Sequence, residues 1–143
     1  MPPSPIPAVI AVVIHEDRTL LVRRANPPDA GLWGFPGGKI EFGETVRAAA
    51  IRELLEETGV HAEAQEVITT LDILVPDPSG AVHQHYILIA VRCRWISGEP
   101  VAGDDALEAS WFPVIDLEHD RIAMSADVDM IARQAQALAS HAP

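Results

Sequence analysis

Two short stretches constrain this chain more than anything else in it: GGKIEFGE at residues 37–44 and RELLEETGV at residues 52–60. The second lies within residues 45–58, where helix formers run on, and Gly59 follows at the place where a helix most readily ends in a left-handed residue. Val46, Ala50, Ile51, Leu54 and Leu55 recur at helical spacing and give this helix an apolar stripe to bury. At about 100° per residue, Glu53, Glu56 and Glu57 fall within an arc of roughly 100° on one side. Like charges four apart weaken a helix by a few tenths of a kcal/mol, and in the last turn the helix dipole also disfavours anions. Something must offset that repulsion.

One explanation is a solvated face, with Arg52 and nearby bases sharing the charge. The other is a site for a hard divalent cation, because clustered carboxylates and backbone carbonyls are the oxygen ligands that Mg²⁺ or Mn²⁺ takes. No cysteine pair and no His-x-x-x-His spacing offers zinc an alternative. Gly37-Gly38, after Pro36, lets the backbone approach the helix closely and could lend a carbonyl oxygen to the same ion.

The flanking segments read as strands. Ala8–Ile14 and Thr19–Arg23 are predicted to form a hairpin across a four-residue connection, His15–Arg18, followed by a loop over Ala25–Gly34. His61–Val75 and Val82–Trp95 form a second hairpin across PDPSG, and Leu107–Pro113 adds a strand after the acidic loop Glu99–Asp105. Ser125 is expected to cap a last helix, where Val128, Ile131, Ala132, Ala135, Leu138 and Ala139 mark the buried face. The order β-β-α-β-β-β-α predicts an α/β or α+β domain with a mostly antiparallel or mixed sheet between helices.

With 143 residues the chain suits a single domain over residues 8–143, behind a proline-rich lead over residues 1–7 that is expected to be poorly ordered. A net charge of −11, from 21 acids against 10 bases, argues against long nucleic acid as a partner. It also requires a cation beside any phosphorylated substrate. Ala8–Ile14 is too short for the ~20 apolar residues of a membrane span, and the N-terminus lacks the pattern of a secretory signal, so the expected location is the cytoplasm, with no membrane partner. Cys93, the single cysteine, falls in an alternating strand and reads as core. His83 and His85 point to one side of their strand and read as polar surface.

From Gly38, five residues lead to Glu44 and seven more to Arg52-Glu53; aliphatic Leu54, Leu55, Glu56-Glu57, Thr58, Gly59 and aliphatic Val60 complete the run. This matches the Nudix box, GX5EX7REUXEEXGU with U aliphatic, at every defined position. With LWGFPGGKIEFGET before the helix and Trp111-Phe112-Pro113 late in the chain, the sequence resembles the Nudix hydrolase superfamily over nearly its whole length. The resemblance implies an α/β/α sandwich with a mixed sheet, and attack of water on a phosphoanhydride in a nucleoside diphosphate linked to another moiety. It implies that Glu53, Glu56 and Glu57 bind Mg²⁺ or Mn²⁺, that Gly38 or Gly37 lends a carbonyl, and that Arg52 orients the carboxylates with Glu44 in support. Family members differ in the base that activates water. Glu53 is the expected one, with Asp105 and Glu108 as alternatives among the later acids Glu99, Asp104, Asp105 and Glu108.

Arg23, Arg24 and Lys39 are candidates for holding phosphate, and Trp33 and Phe35 either stack on a base or pack in the core. The flanks are similar to the ADP-ribose pyrophosphatase-like branch, which implies ADP-ribose or a nucleotide sugar as substrate. A triphosphate pyrophosphohydrolase is the alternative, and a non-catalytic nucleotide sensor is the alternative of another class. The expected partner is a small nucleotide, and a homodimer is possible.

Overall fold

A computed structural model describes residues 3–141. Its centre is β1 (Ile6–His15), in which Ala8–Val13 are all buried. A strand apolar at consecutive positions needs cover on both faces. Val9, Ala11 and Val13 pack with Ala49, Ala50 and Leu54 of α1 (Val46–Thr58), while Ile10 and Val12 pack with Val128, Ile131 and Ala135 of α2 (Val128–Ser140). The two cores make a three-layer α/β/α sandwich.

Seven strands form the sheet, in the order β3 (Trp33–Gly34), β2 (Arg18–Arg24), β1, β6 (Val82–Ser97), β5 (His61–Pro76). In addition β4 (Gly37–Lys39) pairs with β1 and β7 (Ala106–Pro113) pairs with β2. β1 and β6 run parallel from Ile6↔Tyr86 to Ile14↔Arg94, and the other pairs are antiparallel, so the sheet is mixed as expected. No helix among the described residues is long and apolar enough to cross a membrane.

The strand partners explain where a cleft opens. β2 pairs with β1 only at Ile14↔Thr19 and His15↔Arg18, then diverges. Nearer the start of β1, β4 takes its place opposite Ala8, Val9 and Ile10, and the Ala11 amide donates to the Pro36 carbonyl at 2.8 Å. A Cβ on Gly37 would collide with the Val9 carbonyl and Ile10, so only glycine lets β4 lie this close.

Several expectations are corrected. The first hairpin turns in two residues, because Glu16 and Asp17 adopt φ of 52° and 61°, the left-handed pair of a tight turn. The strand starts at Ile6 rather than Ala8, since Ile6 and Pro7 already pair with β6; Met1 and Pro2 lie outside the described residues. β3 and β4 form within the expected loop and its glycine turn. Ser125 does not cap α2: Asp127 stands at the N-cap with φ 67°, and its side chain makes no capping bond. On α1, Ala49 joins the buried stripe and Leu55 faces out.

Candidate active site

Thr45 caps α1 by accepting from the Ala48 amide at 3.1 Å, and Gly59 ends it at φ 73° with its N–H on the Leu55 carbonyl. Between these ends Arg52 is the organiser. Its Nε and Nη2 donate to the two oxygens of Glu44 at 2.6 and 2.9 Å, its Nη1 reaches Glu53 at 2.8 Å and Glu56 at 3.3 Å, and Nη2 also meets the Lys39 carbonyl at 3.1 Å. The fork from Arg52, with the Glu41 amide, pulls the Glu44 carboxyl down to about 2.

Glu53 and Glu57 stand differently. Burial raises both, Glu53 less strongly because Arg52 counters it. Burial pushes Glu57 up to about 8, against the Gly37 amide that donates to its Oε2 at 2.7 Å, while Glu53 and Asp104 repel its charged form. Gly38 lies so near Glu53 that a Cβ there would sit 2.6 Å from Oε1. The glycine turn thus carries backbone to the carboxylates with no side chain between.

Two cavities adjoin this arrangement. The smaller, about 330 Å³, is walled by Glu53, Glu57, Asp104, Asp105, Arg24 and the two glycines among others. The larger, about 500 Å³, runs between β1, β5, β6 and the start of α2, with Phe35, Leu71, Ile73, Tyr86, Leu88 and Ile131 among its walls. Arg24, Pro27, Gly37 and Gly38 line both, so the cavities meet along those residues.

The expected site residues separate accordingly. Glu53, Glu57, Gly37, Gly38, Arg24 and Asp105 are brought together at the smaller cavity, and Lys39 and Phe35 line the larger. Glu56, 44% exposed at its side chain, leans on Arg52 and is not on either wall. Arg23 and Glu108 bind each other at 2.7 Å across β2 and β7 and line neither cavity. Trp33 packs edge-on against Phe112, 4.8 Å between ring centres, on the core side.

Asp104 is the loop acid that the sequence underrated. The Val101 and Gly103 amides donate to the Thr58 and Glu57 carbonyls at 2.9 and 2.8 Å, hooking the loop onto the open end of α1. Asp104 then turns at φ 47° beside Glu53 and Glu57. The Gly-Asp step at 103–104 was the only local signal, because the docking depends on a helix end distant in sequence.

Among the described residues no three His, Cys, Asp or Glu side chains close into a ready-made ion cage. Each carboxylate takes the nearest N–H instead, Glu53 and Glu56 from Arg52 and Glu57 from Gly37. The donor set is nonetheless all oxygen, with acids from α1 and the later loop facing one cavity beside a glycine backbone. That chemistry fits a hard dication.

The comparisons agree with this geometry. The NUDIX domain family matches residues 4–134, and the chain belongs to that family. An ADP-ribose pyrophosphatase of Methanocaldococcus jannaschii is 36% identical over 123 residues, covering 82% of this chain and 70% of its own length. A putative 8-oxo-dGTP diphosphatase 2 of Mycobacterium tuberculosis is 35% identical over 134 residues, covering 91% and 88%. The crystal structure of a MutT NUDIX hydrolase from Burkholderia pseudomallei superposes with a TM-score of 0.78 at 27% identity, over 92% of this chain and 98% of that one. The protein is therefore a Nudix hydrolase, of the family that cleaves nucleoside diphosphates linked to another moiety and works with divalent metal ions.

Proposed function

We propose that the chain hydrolyses the phosphoanhydride of ADP-ribose or a similar nucleotide sugar with Mg²⁺, the base seated in the larger cavity and the diphosphate in the smaller. The observation that carries this reading is the junction of the two cavities, one mainly apolar and of nucleoside size, the other acidic, joined along Arg24 and the Gly37-Gly38 backbone. Glu53 and Glu57 would hold the metal at the smaller cavity with a carbonyl from the glycine pair, and Glu56 would join them by turning from Arg52. Bound there, Mg²⁺ supplies charge neutralisation of the diphosphate and a lowered water pKa.

The chain's own groups do the rest. Arg24 gives its Nε to the Pro28 carbonyl at 2.9 Å and keeps its terminal amino groups for a phosphate oxygen. Arg52 fixes Glu53 through one oxygen and leaves the other to take a proton from water. As that proton leaves, the water oxygen bonds to phosphorus and the bond to the bridging oxygen breaks. Asp104 and Asp105, both on the wall of the smaller cavity, are the loop acids left to replace Glu53 as base, since Glu108 is engaged by Arg23.

The relative from Methanocaldococcus supports ADP-ribose. The Mycobacterium relative supports the second reading, a triphosphate pyrophosphohydrolase, at nearly equal identity. A turnover screen with Mg²⁺ over ADP-ribose, nucleotide sugars and ordinary or oxidised triphosphates decides between them. The first reading expects AMP and ribose 5-phosphate from ADP-ribose at a kcat/KM above that of any triphosphate; a triphosphate as best substrate, giving pyrophosphate, refutes it.

A further inference from the structure

Asp29 is an acid in a cavity that the catalytic reading does not use. It sits at φ 66° in the turn after Pro27-Pro28, its carbonyl accepts from the Leu32 amide at 3.0 Å, and it lines the larger cavity only. Its carboxylate takes part in none of the hydrogen bonds or ion pairs of the described residues, although Arg24 is on the same wall. Asp29 lies two positions past Pro27, one of the four residues shared by both cavities, and Lys39 lies one position past Gly38, another of them. Asp29 is exposed, and it places an unengaged anion on the wall of the nucleoside-sized space, in the same short loop as Pro27, which lines the neck between that space and the acidic one.

A nucleotide with its base in the first space and its diphosphate in the second must thread its sugar through that neck. A carboxylate has two acceptor oxygens and no donor, so it repels the phosphates and suits a pair of adjacent hydroxyl donors. We infer that Asp29 accepts hydrogen bonds from the 2′- and 3′-hydroxyls of the nucleoside ribose, and so makes the enzyme select ribonucleotides over 2′-deoxyribonucleotides. This rests on the placement of base and diphosphate proposed above. It deepens that reading, because ADP-ribose carries the diol and a deoxynucleoside triphosphate does not.

The test compares ADP-ribose with its analogue lacking the adenosine 2′-hydroxyl, alongside ATP, dATP, GTP and dGTP, for the wild type, Asp29→Gly and Asp29→Asn. Glycine and asparagine both accept the positive φ at this position, so neither substitution disturbs the turn. A hydrogen bond to a charged group corresponds to about 10- to 100-fold in kcat/KM. The wild type is expected to prefer the ribo form by about that factor, with the preference falling toward one in Asp29→Gly and part-way in Asp29→Asn. An unchanged ribo-to-deoxy ratio in Asp29→Gly overturns the inference, as does a changed ranking of adenine against guanine at a fixed sugar, which would put Asp29 on the base. Both outcomes leave the proposed function intact, whereas a wild type that turns over none of these nucleotides with Mg²⁺ overturns both.

Discussion

Arg52 keeps three glutamates in place, and its loss is expected to be felt in stability before chemistry. Glu44 and Glu53 are each only 14% exposed at the side chain, so Arg52→Ala leaves two sheltered carboxylates without their donor. That should lower the urea midpoint of unfolding, with Arg52→Lys recovering only part because lysine lacks the fork. A variant as stable as the wild type would show that solvent already serves these carboxylates. Glu57 has the opposite character. Its folded pKa of about 8 lies above the ordinary 4.5, so the protein binds more protons folded than unfolded between those values. Without metal, stability should therefore fall as pH rises from about 4.5 through 8, by on the order of a few kcal/mol. Glu44, at about 2, adds stability above 4.5 that is lost as pH drops toward 2. Glu57→Gln should abolish the alkaline loss in chelator and, in a separate assay with Mg²⁺, lower kcat by at least about 100-fold. Wild-type turnover in that variant would remove Glu57 from the site.

At the level of elements, α1 was legible because its evidence is local: a capping threonine, helix formers, a glycine stop and acids at helical spacing all lie within residues 45–59. The strands were legible for the same reason, with period and turn residues marking the two hairpins. What escaped were features set by distant partners. β3 and β4, two and three residues long, exist because β2 and β1 offer them unpaired edges, and no local pattern announces that. Trp33 and Arg23 have the composition of ligand-binding residues, yet Phe112 and Glu108 across the sheet claim them. The acidic loop over residues 99–105 read as a source of alternative bases, but what holds it in place was not local: the end of α1 captures it through Val101 and Gly103. A Cβ on Gly103 would stand 2.5 Å from the Glu56 carbonyl, so Gly103→Ala must push the loop and Asp104 away. The expected result is kcat reduced about 10- to 100-fold with cooperative unfolding retained. Kinetics indistinguishable from the wild type would mean that the loop's position has no part in catalysis.

For the whole molecule, the sandwich sets up the chemistry by failing to close its sheet. β1 exchanges β2 for β4 part-way along, and the divergence leaves an apolar cavity on the α2 side in contact with an acidic one at the end of α1. A net charge of −11 then requires that an anionic substrate be met through cations. The class of fold and the family were readable from the box and the element order, whereas the cavity walls, drawn from residues 8 to 131, were not. The central claim is that the acids facing the smaller cavity bind a dication. Titrating the protein with Mn²⁺ and reading the free ion by electron paramagnetic resonance tests it most directly, in the wild type and in a Glu53→Gln, Glu57→Gln double variant. Saturable Mn²⁺ binding in the wild type that is competed by Mg²⁺ and lost in the folded double variant is the predicted result. Equal binding by both proteins, or none by the wild type even with ADP-ribose present, would contradict it.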